Sequence, residues 1–324
     1  MSLRYLSKRL LYTLFVFFFV VTFNFVLFRL MPGDPIAMLS REVSSNPEAR
    51  AVMEHLYGLD KPLPLQFVDY LKSMITFDFG ESFQYRAPVW DVLKDKIGNT
   101  LILELAATPL SILVGVVGGI IAGSHHGSKL DMGITSVTML VYAVPSFWLA
   151  MVFLLYFGVK LGWAPFNGMV TAGVHYDGVN AKYLADLFRH LAIPTLSYAL
   201  ANFGSYLMIM RGSMIDVYGE DYVLTARAKG LTERQVRRRH IVPNAMLPTA
   251  NMIVMSLAFM LTGAFSIEVL FTWPGMGRLM VDSVMRRDYP MLQATNYIIA
   301  LMVIIANFVL DILYTYIDPR VKLE

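Results

Sequence analysis

The stretch LLYTLFVFFFVVTFNFVLF, from Leu10 to Phe28, contains no charged residue. A helix needs about 20 apolar residues to cross the roughly 30 Å hydrocarbon core of a bilayer, and this stretch supplies that length. Basic residues precede it, as in secretory signals. It is nevertheless too long for a typical signal region, and Arg29 and Pro32 follow it instead of a small-residue cleavage site. We therefore predict a retained first transmembrane helix.

Further apolar runs of similar length follow along the chain. They are Leu101–Ala122, Met132–Val159, Leu191–Met210, Thr249–Ile267 and Met291–Leu310. The composition agrees, since 56% of the residues are hydrophobic and only 16% are charged, against about 25% in soluble domains. Because lipid cannot satisfy backbone N–H and C=O groups, such runs must form helices. We predict an all-α integral membrane protein with about six transmembrane helices.

Several residues within these runs suggest how the helices pack. Small residues that would let another helix approach closely recur in the second run: Gly115, Gly118, Gly119 and Gly123. Prolines that should kink their helices are Pro109, Pro145 and Pro194. Polar residues that could face a path through the membrane, or equally bond a neighbouring helix, are Asn202, Ser205, Ser256 and Thr262. The acids Glu104, Glu268 and Asp311 lie at or near run ends, where we expect them to meet water, headgroups or an arginine.

The distribution of positive charge predicts the topology. Seven of the 27 lysine and arginine residues fall in the short segment 211–248, and cytoplasmic loops carry such an excess. Both termini are then cytoplasmic, and the protein is a multi-pass protein of a prokaryotic plasma (inner) membrane. The predicted organisation is an N-terminal transmembrane helix (1–30), a small extracytoplasmic lobe with short helices near Asn46–Tyr57 and Leu65–Ile75 (31–98), a five-helix core containing the cytoplasmic loop 211–248 (99–317), and a cytoplasmic tail (318–324).

The sequence lacks the motifs of several function classes. It has no cysteine, and its six histidines form no spaced pair on a helix face, so we predict no metal site. It contains no nucleotide-binding loop and no catalytic motif. No series of buried acids crosses the runs, as a proton- or sodium-driven transporter would need. The basic clusters indicate topology, not nucleic-acid binding. Together these features favour a conduit driven by a partner protein.

The basic segment itself has a distinctive pattern. Acids open the stretch from Tyr222 to Lys229 and bases close it, which suits a helix dipole, and Gly230 is a natural helix stop. Thr232 then opens a second, strongly basic helix that Pro243 ends or kinks. A short helix projecting from the bilayer could dock in a partner's groove. A loop that is basic only for topology is the alternative.

This segment resembles the cytoplasmic motif of binding-protein-dependent ABC importer permeases, with Gly230 as the motif glycine. Thr225–Gly230, which reads TARAKG, is similar to the dipeptide, oligopeptide and nickel branch, although Leu224-Thr225-Ala226 replaces the usual Glu-Ala-Ala. Other stretches resemble the same branch at similar spacing. They are Met31–Pro35, Phe77–Ser82, Asn99-Thr100, Val144–Phe147, Glu268–Arg278, Arg287–Pro290, and the tail with Asp311–Tyr314 and Asp318–Arg320.

The resemblance implies a type I importer permease that has no ATPase site or cofactor of its own. Its partners would be a second homologous permease, two ATP-binding subunits that hold ATP and Mg²⁺, and an extracytoplasmic substrate-binding protein. Peptides are the expected cargo, with oligosaccharides or nickel as alternatives and a secondary transporter as a more distant one. The implied ATPase-coupling residues are Tyr222, Thr225, Ala226, Arg227, Ala228, Lys229 and Gly230. Those implied to face the binding protein are Trp273, Pro274, Gly275 and Arg278.

Overall fold

The computed structural model describes residues 3–30, 48, 51–52, 55, 60–260 and 264–317, without the side chains of 3–6, 30, 311 and 313–317. In chain order its helices are α1 (Leu3–Leu30), α2 (Leu63–Thr76), α3 (Val89–Ser124), α4 (Lys129–Ala143), α5 (Ser146–Phe153), α6 (Ala181–Tyr218), α7 (Asp221–Ala228), α8 (Glu233–Val236), α9 (Val242–Phe259), α10 (Phe265–Leu270), α11 (Met276–Arg286) and α12 (Tyr289–Ile317). Two π-helical segments, Leu154–Lys160 and Arg237–Ile241, follow α5 and α8.

Some predicted features lie outside the described residues. They are Met31–Pro35, most of Asn46–Tyr57, Thr262, the Asp311 side chain and the tail 318–324. The predicted helix Leu65–Ile75 is confirmed by α2. The chain divides into two compact units, one of residues 1–99 with 275–324 and one of residues 100–274.

The helical membrane fold is confirmed, while the count of six spans stays a prediction. Four described helical stretches are long and apolar enough to cross a bilayer: Ser7–Arg29, Val89–Ser124, Glu233–Phe259 and Tyr289–Leu310. A fifth span results if α4 and the helix that begins at Ser146 are one span, bent by 97°. This bend falls at Pro145, where we predicted a kink. Pro109 and Pro194 lie inside α3 and α6. The remaining predicted run, Leu191–Met210, lies within α6, where interspersed polar residues lower its hydropathy.

Helices α1, α2 and α12 of the first unit meet at a buried asparagine. The Asn24 side-chain amide donates to the Tyr70 hydroxyl at 2.9 Å, and its oxygen accepts from the Asn296 amide at 2.7 Å. Its partner Tyr70 belongs to a hydrophobic core that also contains Phe25 and Tyr297. Side-chain hydrogen bonds between helices hold membrane bundles together, because lipid offers no competing partner. Asn24 thus ties α1 to the rest of its unit.

Glycines of α3 allow its close contact with α6 in the second unit. A Cβ atom built on Gly115 would lie 2.5 Å from the Phe203 carbonyl oxygen, and one on Gly119 would lie 2.7 Å from the Leu207 carbonyl oxygen. A Cβ on Gly123 would lie 2.6 Å from Met214 Cβ. The small-residue stripe predicted from sequence is therefore confirmed as a helix–helix contact surface.

Changing Gly119 to valine should destabilise the second unit by at least about 1–3 kcal/mol, because the new side chain would push apart the backbones of α3 and α6. Gly133→Val is the matched control, since a Cβ at Gly133 meets no atom within 4 Å. Thermal unfolding of the purified chains in detergent measures both changes. Equal melting temperatures for Gly119→Val and Gly133→Val would show that close packing of α3 against α6 does not stabilise the second unit.

Candidate functional site

The segment between α6 and α9 forms a compact helical loop. Helix α7 buries Val223 and Ala226 on one side, where they join a hydrophobic cluster with Met210 and Met214 of α6. The cluster is completed by Val236, Ile241 and Ala245. On the opposite side of α7, Leu224 is 66% exposed. The helix is thus anchored through one face, and its other face remains available to a partner.

The end of α7 and the start of α8 are each marked by a residue with a specific backbone role. Gly230 adopts φ +82°, a conformation that favours glycine, so the predicted stop after α7 is confirmed. Thr232 begins α8 with a capping box, in which its backbone N–H donates to the Gln235 side chain and its hydroxyl accepts from Gln235 N–H. The basic helix that starts at Thr232 does not end at Pro243. It passes from α8 through the π-helical segment into α9, which contains Pro243 in its first turn.

Two of the predicted coupling residues make contacts within the loop, Ala226 as a buried residue and Arg227 as an exposed one. Ala226 is buried and packs within the loop. Arg227 donates to Glu233 at 2.8 Å and 3.3 Å, and its guanidinium lies 5.9 Å from the centre of the Tyr218 ring. The hydrogen bond with Glu233 raises the pKa of Arg227. The other predicted coupling residues are exposed: Tyr222, Thr225, Ala228, Lys229 and Gly230.

An ion pair connects the start of α4 to the end of the apolar part of α6. Arg211 donates to the two Asp131 carboxylate oxygens at 2.6 Å and 2.8 Å. Asp131, with a side chain only 3% exposed, also accepts from the Gly127 N–H at 3.0 Å and the Thr135 hydroxyl at 3.2 Å. The pair thereby fixes the position of α6 just before the helical loop. No local pattern predicts this pairing, since 80 residues separate its members.

Two stretches that resembled the importer family meet within the first unit. The Asp288 carboxylate accepts from the Ser82 hydroxyl at 2.5 Å and from the N–H groups of Phe83 and Gln84 at 3.2 Å and 3.1 Å. It also accepts from Met291 N–H in the first turn of α12. Asp288 therefore caps α12 while holding the loop that follows Phe77–Ser82.

Another pair of such stretches meets within the second unit. The Thr100 hydroxyl donates to the Glu268 carboxylate at 2.6 Å, and Glu268 is fully buried. Glu104 and Glu268 are therefore buried, so the expectation of headgroups or bulk water is wrong for them, while a nearby arginine as the third alternative stays a prediction. Both carboxyl groups lie inside the helix packing and are met by threonine hydroxyls, since Thr108 donates to Glu104 at 2.7 Å.

The residues expected to face a binding protein differ in exposure. Trp273 is 0% exposed and belongs to a hydrophobic cluster with Phe271 and Leu103, so its side chain supports the turn from inside. Gly275 is also buried, whereas Pro274 and Arg278 are partly exposed. Arg278 lies 3.6 Å from Asp282.

A partly open cavity of about 360 Å³, with polar and apolar walls, lies within the second unit. It is lined by Glu104, Tyr198, Asn202, Ser205, Tyr206, Met252, Met255, Ser256, Phe259 and Met260. The Tyr206 hydroxyl of α6 donates to the Ser256 hydroxyl of α9 at 2.6 Å, while Asn202 and Ser256 also bond backbone carbonyls of their own helices. Ser256 thus bonds a neighbouring helix, while a role of these polar residues in a path through the membrane stays a prediction. The sequence signals of this cavity were Glu104 inside the second apolar run and the polar residues Asn202, Ser205 and Ser256.

Several helices long and apolar enough to cross a bilayer, joined by a compact helical loop, are the architecture of a multi-pass membrane protein. Residues 115–323 match the family described as binding-protein-dependent transport system inner membrane component, and residues 2–104 match its N-terminal part. The chain belongs to this family and is an inner-membrane component of a binding-protein-dependent transport system.

Relatives with assigned names align over nearly their whole length. The chain is 32% identical to the oligopeptide transport system permease protein AppB of Bacillus subtilis, over 98% of this chain and 99% of the relative. It is 34% identical to the di/tripeptide transport system permease protein DppB of Pseudomonas aeruginosa, over 99% of each chain. It is 31% identical to the dipeptide transport system permease protein DppB of Escherichia coli, again over 99% of each.

Proposed function

We propose that this chain is the transmembrane permease subunit of an ATP-driven peptide importer and forms half of its translocation path. A second homologous permease, two ATP-binding subunits and an extracytoplasmic substrate-binding protein would complete the assembly. ATP and Mg²⁺ would bind to the ATP-binding subunits only. The names of the relatives support peptides as cargo.

The observation that carries this proposal is the shape of the loop around α7. A short helix with one buried face and one exposed face suits docking into a groove of another protein. Tyr222, Leu224 and Ala228 would supply apolar contact to an ATP-binding subunit, with Thr225 and Lys229 beside them. Ala226 would act from inside the loop and Arg227 through its surface ion pair with Glu233, because these contacts keep the helix in place. Gly230 would permit the sharp turn behind it.

The packing around α7 supports a route by which docking could act on the path. Val223 and Ala226 contact the same cluster as Met210 and Met214 of α6 and Ala245 of α9. These two helices also carry most of the residues that line the cavity. A displacement of α7 would therefore move the cavity walls. ATP can drive such a change only if it favours one conformation over the other.

The topology in this proposal places both termini and the 211–248 loop in the cytoplasm. Segment 31–98 and the turn that contains Pro274, Gly275 and Arg278 would lie outside, near the docked binding protein. Arg278 is the polar residue there with partly exposed surface, and Trp273 would hold the turn in shape. Accessibility of single cysteines introduced into this chain, which has none of its own, would test the orientation.

Reconstitution tests the proposed function. The chain is co-purified with its ATP-binding subunits and second permease, placed in proteoliposomes, and supplied with binding protein and radiolabelled dialanine. ATP-dependent accumulation of dialanine, blocked by excess unlabelled peptide and not by nickel or an oligosaccharide, is the expected result. Purification without any ATP-binding subunit, or uptake driven by an ion gradient instead of ATP, would overturn the proposal.

A further inference from the structure

The cavity of the second unit holds a buried acid without a cationic partner among its described lining residues. Glu104 is 2% exposed, and the other lining residues are tyrosines, small polar residues, methionines and a phenylalanine. Its carboxyl group accepts a hydrogen bond from Thr108, and the hydroxyl of Tyr198 interacts with it. Acids inside membrane-spanning helices are costly, and they usually mark a substrate or ion pathway.

The shape and chemistry of the cavity fit a small cationic ligand. Its volume lies within the roughly 300–1,000 Å³ typical of small-molecule sites, which combine apolar walls with a few directed polar groups. Met252, Met255 and Phe259 supply the apolar wall from α9. Asn202 and Ser205 lie along the α6 side and can hydrogen-bond peptide groups.

We propose that this cavity is a transient binding site for peptide cargo, in which the Glu104 carboxylate pairs with the peptide's α-ammonium group. The proposal rests on the peptide-importer function proposed above. An ammonium group would bring the positive charge that the lining lacks, and pairing buried charges offsets part of their desolvation. Thr108 and Tyr198 would act as positioning residues that orient the carboxylate. Because α6 and α9 also carry the loop cluster, movement of these helices would change the affinity of the site during transport.

Equilibrium binding without the binding protein tests the site directly. The permease–ATPase complex is placed in nanodiscs and titrated with radiolabelled dialanine, with N-acetyl-dialanine amide, which carries neither terminal charge, and dialanine amide, which keeps only the ammonium group, as competitors. We expect saturable binding of dialanine, effective competition by dialanine amide, weak competition by the acetylated peptide, and an affinity at least about tenfold lower for Glu104→Gln. Glu104→Asp should recover part of the affinity for dialanine only. A merely structural role of Glu104 would change the affinities for the charged and the acetylated peptide alike.

Glu81→Gln is the matched control, because it removes one carboxylate from an exposed position and should leave binding unchanged. Absence of saturable binding to the unmodified complex, equal competition by N-acetyl-dialanine amide, or an unchanged affinity of Glu104→Gln would each overturn the inference. If the unmodified importer still accumulates dialanine in proteoliposomes, that failure concerns this cavity alone. If it accumulates none, the proposed function fails instead.

Discussion

Replacing Leu224 with aspartate is expected to release the ATP-binding subunits from this chain while leaving the chain itself folded. The side chain is 66% exposed and joins none of the hydrophobic clusters of the described residues, so folding stability should change by no more than about 0.5 kcal/mol. A charge in an apolar docking contact should cost about 2 kcal/mol or more of binding free energy. Co-purification of the ATP-binding subunits, and ATP hydrolysis stimulated by the binding protein, measure the loss, which should exceed tenfold.

Leu224→Met serves as the control for this experiment, because it keeps the apolar contact at nearly the same volume. It should preserve both co-purification and stimulated hydrolysis. Normal docking of the aspartate variant would show that the exposed face of α7 is not the coupling surface. Gly230→Trp is less informative for docking, because any side chain at φ +82° strains the loop itself.

Replacing Arg211 with alanine should cost about 3–5 kcal/mol of folding stability. The change leaves the buried Asp131 carboxylate with Gly127 N–H, the Thr135 hydroxyl and the His126 ring at 3.3 Å, but without the guanidinium that balances its charge. The end of α6 would then lose its fixed position relative to α4, and coupling from α7 should weaken. Thermal unfolding in detergent, followed by ATP hydrolysis of the assembled complex, measures the two effects.

A double variant separates the buried charge from the loss of packing. Asp131→Asn with Arg211→Gln removes both charges, and it should be more stable than Arg211→Ala. Arg238→Ala is a matched control, since Arg238 is exposed on the basic segment after α8. If Arg211→Ala and Arg238→Ala unfold at the same temperature, the ion pair does not support the fold.

Local patterns of this sequence predicted most of its long helices and the helical loop, although the run Thr249–Ile267 extends beyond the end of α9 at Phe259. Uncharged runs such as Leu10–Phe28 specify membrane helices because lipid leaves the backbone no other arrangement. Gly230 and Thr232 marked the stop and start within the loop because these signals act through neighbouring backbone groups. The glycines of α3 predicted a close contact with another helix, but the sequence pattern did not identify α6 as that helix.

The tertiary structure decided which side chains face inward. Periodicity alone did not separate Ala226, which packs inside the loop, from Leu224, which remains exposed two residues earlier. Side-chain hydrogen bonds connect residues far apart in the chain, namely Arg211 with Asp131 and Ser82 with Asp288. Glu104 seemed close to a run end, yet it lines a partly open cavity. The sequence by itself thus determined the membrane helices and the family, because these depend on local composition and motifs. The buried polar pairs and the cavity were decided only by helix packing, which brings distant residues together.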